Sequence, residues 1–451
     1  MPTSFRLTIT ATTCLVAAST AQPLVAQQDH LTPSQTARTP HAAKETDPVP
    51  LALSDDVTIW PNKVSYRNSD DWLWQNHEKI RKMRPRVLVL NFANDVDMEQ
   101  IRKHVEGIIR ATAEATRYHG FKDPTAPAFI EYEVAKYVDL RDKQGPKVGQ
   151  RTTSAVLPVK QDRKRHEALC DYAGFYTDEF AKHLGFRDPR NPNRYLNLHE
   201  LIKFGFVHEL WFYAIHDPGD NWPGRETCEY KQFYDENCRP IKDQHGQAGN
   251  GADRTMPWSG RSFRIAFFNP HRGIGCALEN FGHTLEWTAT TGNIAYYRKY
   301  FLEFAELDFD KRFGVPFNEL YRTDYAVKDS ITYPTSTSMV VKIKDKTYKI
   351  DPYIAIGGSA HFPPGARHHY DLSSPYTVLS TFENYRLRNG PDSQDLAKDF
   401  NIKIIAAVGN IAPDCMGNWM VFWRQCMPGL DNGCVDDDGK PMKNWWVFLF
   451  Y

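Results

Sequence analysis

Runs of uninterrupted apolar residues, each closed by a turn rich in Gly, Pro, Asn or Asp, set the rhythm of most of this chain. Arg86 to Phe92 (RVLVLNF), the apolar run around His208 and Glu209 (FGFVHELWFYAI) and the start of Arg264 to Trp287 (RIAFFNPHRGIGCALENFGHTLEW) read as strands buried on both faces. Between them the apolar period changes to that of a helix. Met98 to Tyr118 carries Ile101, Val105, Ile108 and Ile109 at helical spacing, and the alternating run AFIEYEVAKYVDL from Ala128 completes a β-α-β unit. Helices are also expected over Asp162 to Leu184, over Leu198 to Phe204 behind an Asn197 cap, and over Tyr296 to Phe304. Met339 to Ile350 and Tyr376 to Glu383 read as strands. The expected class is α/β: a mostly parallel or mixed sheet with flanking helices and a β-rich, Cys/Trp-rich C-terminal portion.

The ends and one interior stretch break this rhythm. Residues 1–26 read as a signal peptide, with Arg6 as its charge, Leu7 to Ala18 as its apolar or small-residue segment, and cleavage after Ala21 or Ala26. Residues 27–56, rich in Thr, Pro, Ala, Gln and His, read as a flexible leader, and 57–451 as a single body. Within that body, residues 221–259 are rich in Gly, Pro, Cys and charge and are expected to form a long loop over one face. Residues 401–451 end in WWVFLFY, which must pack on the body.

Export changes the reading of the eight cysteines, because an oxidising compartment favours pairing. Cys14 goes with the signal. Cys228 with Cys238 is the expected local pair, and a second is expected within Cys415, Cys426 and Cys434. Lys plus Arg equals Asp plus Glu, 55 each, so the chain lacks the basic footprint of a general nucleic-acid binder. Nothing after the signal has the length and apolarity of a membrane span.

Candidate chemistry sits at strand ends and on one helix. The expected sheet brings the ends of its strands together, which makes His216, Asp217, His271 and Arg272 candidate substrate-binding residues. On the helix after Phe268, at 100° per residue, Glu279, His283 and Glu286 fall within about 60° of one another. His283 and Glu286, three residues apart, can present a nitrogen and an oxygen to one zinc ion, with His361 of GGSAHFPPGARHHYD as third ligand. Glu226 and Glu383 are candidate general bases. The same face can instead form an ion-pair network with arginines such as Arg272.

The string GHTLEW resembles the H-x-x-E-W zinc-ligand motif of the funnel-shaped zinc carboxypeptidases, with a later His as third ligand and a later Glu as base. That resemblance implies the same roles for His283, Glu286, His361 and Glu383, at shorter intervals than in that family. Over more of the chain, GHTLEW, GSAHFPPGARHHYD, MPGLDN and KNWWVFLFY resemble a group of exported bacterial proteins of unassigned activity, which implies export and a shared fold. Two functions follow as expectations: an exported zinc-dependent hydrolase of peptide or glycan, or a non-catalytic secreted protein that binds carbohydrate or a surface through its aromatic-rich tail and loops.

Overall fold

The computed structural model describes residues 53–67, 69–142, 152–162, 167–215, 226–251, 253, 255–316 and 330–451. The expected signal peptide, almost all of the leader, His216 and Asp217 lie outside them. The described residues belong to one compact unit, Thr46–Tyr451.

Its centre is a six-stranded mixed sheet. The strands are β1 (Arg86–Asn91), β2 (Glu133–Asp139), β3 (Glu209–Tyr213), β4 (Thr227–Tyr234), β5 (Pro240–Ala248) and β6 (Phe263–Phe268), in the order β5-β4-β6-β3-β1-β2. Strands β2, β1, β3 and β6 pair in parallel, and β4 and β5 continue the sheet antiparallel. Both faces are covered, which explains the unbroken apolar runs. Val87, Val89, Trp211, Tyr213, Ala266 and Phe268 enter one core, while Leu88, Leu90, Leu210, Phe212, Ile265 and Phe267 enter the other.

Four helices matter for the site: α1 (Met98–Ala115), α2 (Ile274–Thr291), α3 (Ala295–Phe304) and α4 (Gly417–Gln425). Helix α1 starts where expected because Asp97 and Gln100 form a capping box. Helix α2 has no solvent face over most of its length: every residue from Gly275 to Glu286 is buried. Such packing needs small residues at the crossings. A Cβ on Gly282 would lie 2.7 Å from Met420 Sδ of α4, and one on Gly417 would lie 2.6 Å from Gly275 Cα.

Several expectations change. Residues 221–259 are not one loop, since β4 and β5 lie within them and extend the sheet. Polar composition hid the strand period of TCEYKQFY, because the inward Glu229 and Lys231 pair with each other at 3.1 Å, fully buried. Among the described residues of the helix expected over Asp162 to Leu184, only Asp178–Leu184 is α-helical, behind a Thr177 cap. Met339 to Ile350 is a hairpin, Ser338–Ile343 with Lys346–Ile350. The described strands after residue 330 end at Phe400, and the tail is built from α4 and short 3-10 turns.

The tail packs inside the molecule. Trp419, Trp423, Trp445 and Trp446 are at most 2% exposed. Lys231 Nζ donates to the carbonyls of Phe448 and Leu449, both at 3.0 Å, so one buried ammonium joins the sheet to the chain end. His77 contacts Asn444 O at 2.9 Å and Tyr451 Oη, and burial pushes its pKa down to about 3, helped by the charge of Lys443.

Replacing Lys231 with Met is expected to destabilise the fold by ~3 kcal/mol or more, because the buried Glu229 then loses the ammonium that pairs with it; urea unfolding measures it. Acid sensitivity follows from His77. Between its ordinary pKa of 6.5 and its folded value near 3, the unfolded chain binds a proton that the native chain refuses, so stability falls as pH drops. The unfolding free energy of His77→Gln should therefore fall less steeply in that window, by up to ~1.4 kcal/mol per pH unit, as read from urea series at several pH values.

Candidate functional site

The buried helix α2 carries Cys276, Glu279, Asn280, His283 and Glu286 on one side. Its first turn is fixed from outside. Asp414 accepts hydrogen bonds from Gly275 N at 2.9 Å and Cys276 N at 3.3 Å, and a disulfide joins Cys276 to Cys415. This is not the expected pairing: Cys228 and Cys238 are not bonded to each other, and neither Cys426 nor Cys434 forms a disulfide. Cysteines distant in sequence meet because α4 lies against α2, a proximity that local spacing does not reveal. Cys276, Asp414 and Cys415 also cluster as donors, but the disulfide occupies both sulfurs.

The loop after Ile350 brings His361 onto this helix. Trp419 Nε1 donates to Ser359 O at 3.1 Å and Trp423 Nε1 to Gly358 O at 2.9 Å, so two α4 indoles hold the loop backbone. Gly358 has φ +68°, and a Cβ there would lie 2.2 Å from Phe362 O, which explains the glycine. Ala360 N then donates to Glu286 Oε1 at 2.9 Å, and His361 Nε2 faces Glu279 Oε1 at 3.1 Å.

Glu279, His283 and His361 each offer one donor atom, and the three atoms lie within 4.8 Å of one another, a group that can hold a metal ion. Two separations are defined: Glu279 Oε1 is 3.1 Å from His361 Nε2 and 3.9 Å from His283 Nε2. Bonds of about 2.0 to 2.1 Å in a tetrahedral centre put donor atoms about 3.3 Å apart, so the spacing needs only small adjustment. The three side chains are 8% to 10% exposed.

Glu286, expected as a ligand, lies outside this group. Its Oε2 contacts His283 Nδ1 at 3.0 Å and its Oε1 is taken by Ala360 N, so it holds the far side of the ring. Three residues along, it reaches Nδ1; four residues back, Glu279 approaches Nε2. A carboxylate on one ring nitrogen with the other turned to the donor cluster is the arrangement that orients histidine ligands.

The electrostatics favour a cation. Burial pushes the Glu279 carboxyl up, but hydrogen bonds with His283, His361 and Tyr370 outweigh this and hold it far below the ordinary range. Glu286 is likewise held down by His283 against burial. Burial opposes charge on His283, yet Glu279, Glu286 and the nearby Glu226 raise its pKa well above the usual value. His361 is pushed down by burial and by His283. Two carboxylates with one imidazolium leave the cluster net negative, and Glu226 adds to that.

Glu226 is the expected base that lies near the cluster. It precedes β4, its carboxylate accepts from Asn250 Nδ2, and with His104, Asn269, Arg272, Cys276 and Asn280 it lines a pocket at the end of β6. Glu383 instead forms an ion pair with Lys122. Arg272 lines the pocket but does not form the alternative network with the helix carboxylates: its Nη2 lies 3.9 Å from Cys415 Sγ and its carbonyl contacts His104 Nε2 at 3.0 Å. His271 pairs with Asp95, in the turn after β1, at 3.1 Å. Sequence reasoning missed Tyr370, whose hydroxyl contacts both Glu279 and His361. It also missed His104 and Asn280, which only the α1–α2 packing brings to the pocket.

Comparison with protein-family models, with curated proteins and with solved structures gives no match. Among the described residues no helix is long and apolar enough to cross a membrane.

Breaking the disulfide is expected to loosen the first turn of α2. The bridge spans 139 residues, and loop-closure entropy gives it ~5 kcal/mol of stabilisation. A Cys276→Ala/Cys415→Ala chain should therefore melt at lower temperature, and dithiothreitol should lower the melting temperature of the parent but not of the variant.

Proposed function

We propose that the chain is an exported, metal-dependent hydrolase, with zinc held by Glu279, His283 and His361 and with peptide or glycan as substrate. The observation that carries this reading is the convergence of those three buried donors on a net-negative point, while Glu286 fixes the Nδ1 side of His283. Zinc bound by three protein groups keeps a position for water and lowers the pKa of that water to about 7. Glu226, whose charge reaches His283, would serve as the base. The disulfide suits export. The binding-protein alternative loses support because the tail tryptophans assigned to contacts are in the core.

Elemental analysis of the purified protein is expected to find about one zinc per chain, absent from His283→Ala and more weakly held in Glu286→Gln, by about 10- to 100-fold. Hydrolysis of a peptide and glycan panel should disappear on chelation and return with added zinc. A metal-free wild-type chain that also fails to take up zinc would falsify the reading.

A further inference from the structure

Tyr370 sits where the coordination sphere would close. Its hydroxyl lies 2.7 Å from His361 Nε2 and donates to Glu279 Oε1, so it touches two of the three donor atoms of the cluster. The ring lies against the His361 imidazole with centroids 4.2 Å apart. The backbone holds it there: Tyr370 N donates to His361 O at 3.0 Å, and Tyr370 has φ +59°. A bulky residue in that left-handed region is strained, and such conformations persist where surrounding structure imposes them, often at functional sites. Asp371, the next residue, is buried and accepts from Arg367 Nε at 2.6 Å, which anchors the turn on its far side.

We propose that Tyr370 is a fourth metal-binding residue, its phenol oxygen completing a Glu279, His283, His361 and Tyr370 donor set. This rests on the metal-centre reading above and changes its chemistry. The phenol oxygen stands closer to its two neighbours than the roughly 3.3 Å separation of tetrahedral donors, so metal binding requires it to move outward by about 0.6 to 0.8 Å. As the metal–oxygen bond forms, the phenol O–H bond breaks and its proton leaves to solvent, in keeping with the proton release that accompanies metal binding. The resting centre is therefore closed by protein groups. Substrate gains access by displacing the phenol oxygen, which makes Tyr370 an exchangeable ligand.

Cu(II) is the probe, because copper bound to a phenolate absorbs visible light by ligand-to-metal charge transfer, whereas imidazole and carboxylate ligands alone do not give that band. The full chain, titrated with Cu(II), is expected to bind about one ion and to show the band. Tyr370→Phe removes a single oxygen, and should still bind one ion while losing the band and at least about tenfold in affinity. One bound ion with no such band in the parent, or the same band and affinity in Tyr370→Phe, would overturn the role of Tyr370 while leaving the three-residue centre standing. No bound Cu(II) in the parent would remove both, and the stoichiometry separates the two failures. If Tyr370→Phe loses its native circular dichroism, the parent spectrum with and without the charge-transfer band still decides.

Discussion

Three ionisable side chains on a helix buried all round from Gly275 to Glu286 impose the constraint from which the rest of this structure follows. Placing Glu279, His283 and Glu286 in the interior removes hydration that is worth several kcal/mol per ion, and the loss has to be met by partners of opposite charge and by hydrogen bonds. The chain supplies them from outside the helix: His361 and Tyr370 for Glu279, the amide of Ala360 for Glu286. His283 is held between both carboxylates. The arrangement satisfies individual atoms yet retains excess negative charge, and Glu279, His283 and His361 form a group that can hold a metal ion.

Precision of this kind depends on the scaffold. The loop bearing His361 is held by two buried indoles of α4, and α4 reaches α2 only because glycines stand at the crossings. The tail that follows α4 is tied to the sheet by the Lys231 ammonium, and the first turn of α2 is tied to the residue preceding α4's entry by Cys276–Cys415. Sites built on packed elements with locked neighbours hold donor atoms within the tolerance that coordination demands. The C-terminal tail, polar loop and central helix thus form a single mechanical support for a few atoms.

Much of the sheet was legible in the sequence, because β1, β3 and β6 are buried on both faces and so appear as unbroken apolar runs. Strand β4 was hidden, since its buried positions include Glu229 and Lys231, whose mutual neutralisation leaves no hydrophobic signature. The histidines of the candidate site were legible from residue type, helix spacing and the glycine-rich approach to His361. The choice between Glu279 and Glu286 was not, because both lie on one face and only the ring orientation of His283 separates their roles. Tyr370 gave no signal, as its place depends on a left-handed turn that brings it back over His361. The Cys276–Cys415 bridge was equally hidden, being a product of tertiary packing across the α2–α4 contact.

The central claim is that metal binds at the buried Glu and His cluster. X-ray absorption at the zinc edge reads the immediate ligands of the bound ion. The expected spectrum contains only nitrogen and oxygen neighbours at about 2.0 to 2.2 Å with the outer-shell scattering of two imidazoles. A sulfur neighbour at about 2.3 Å would place the ion at cysteine and contradict the account.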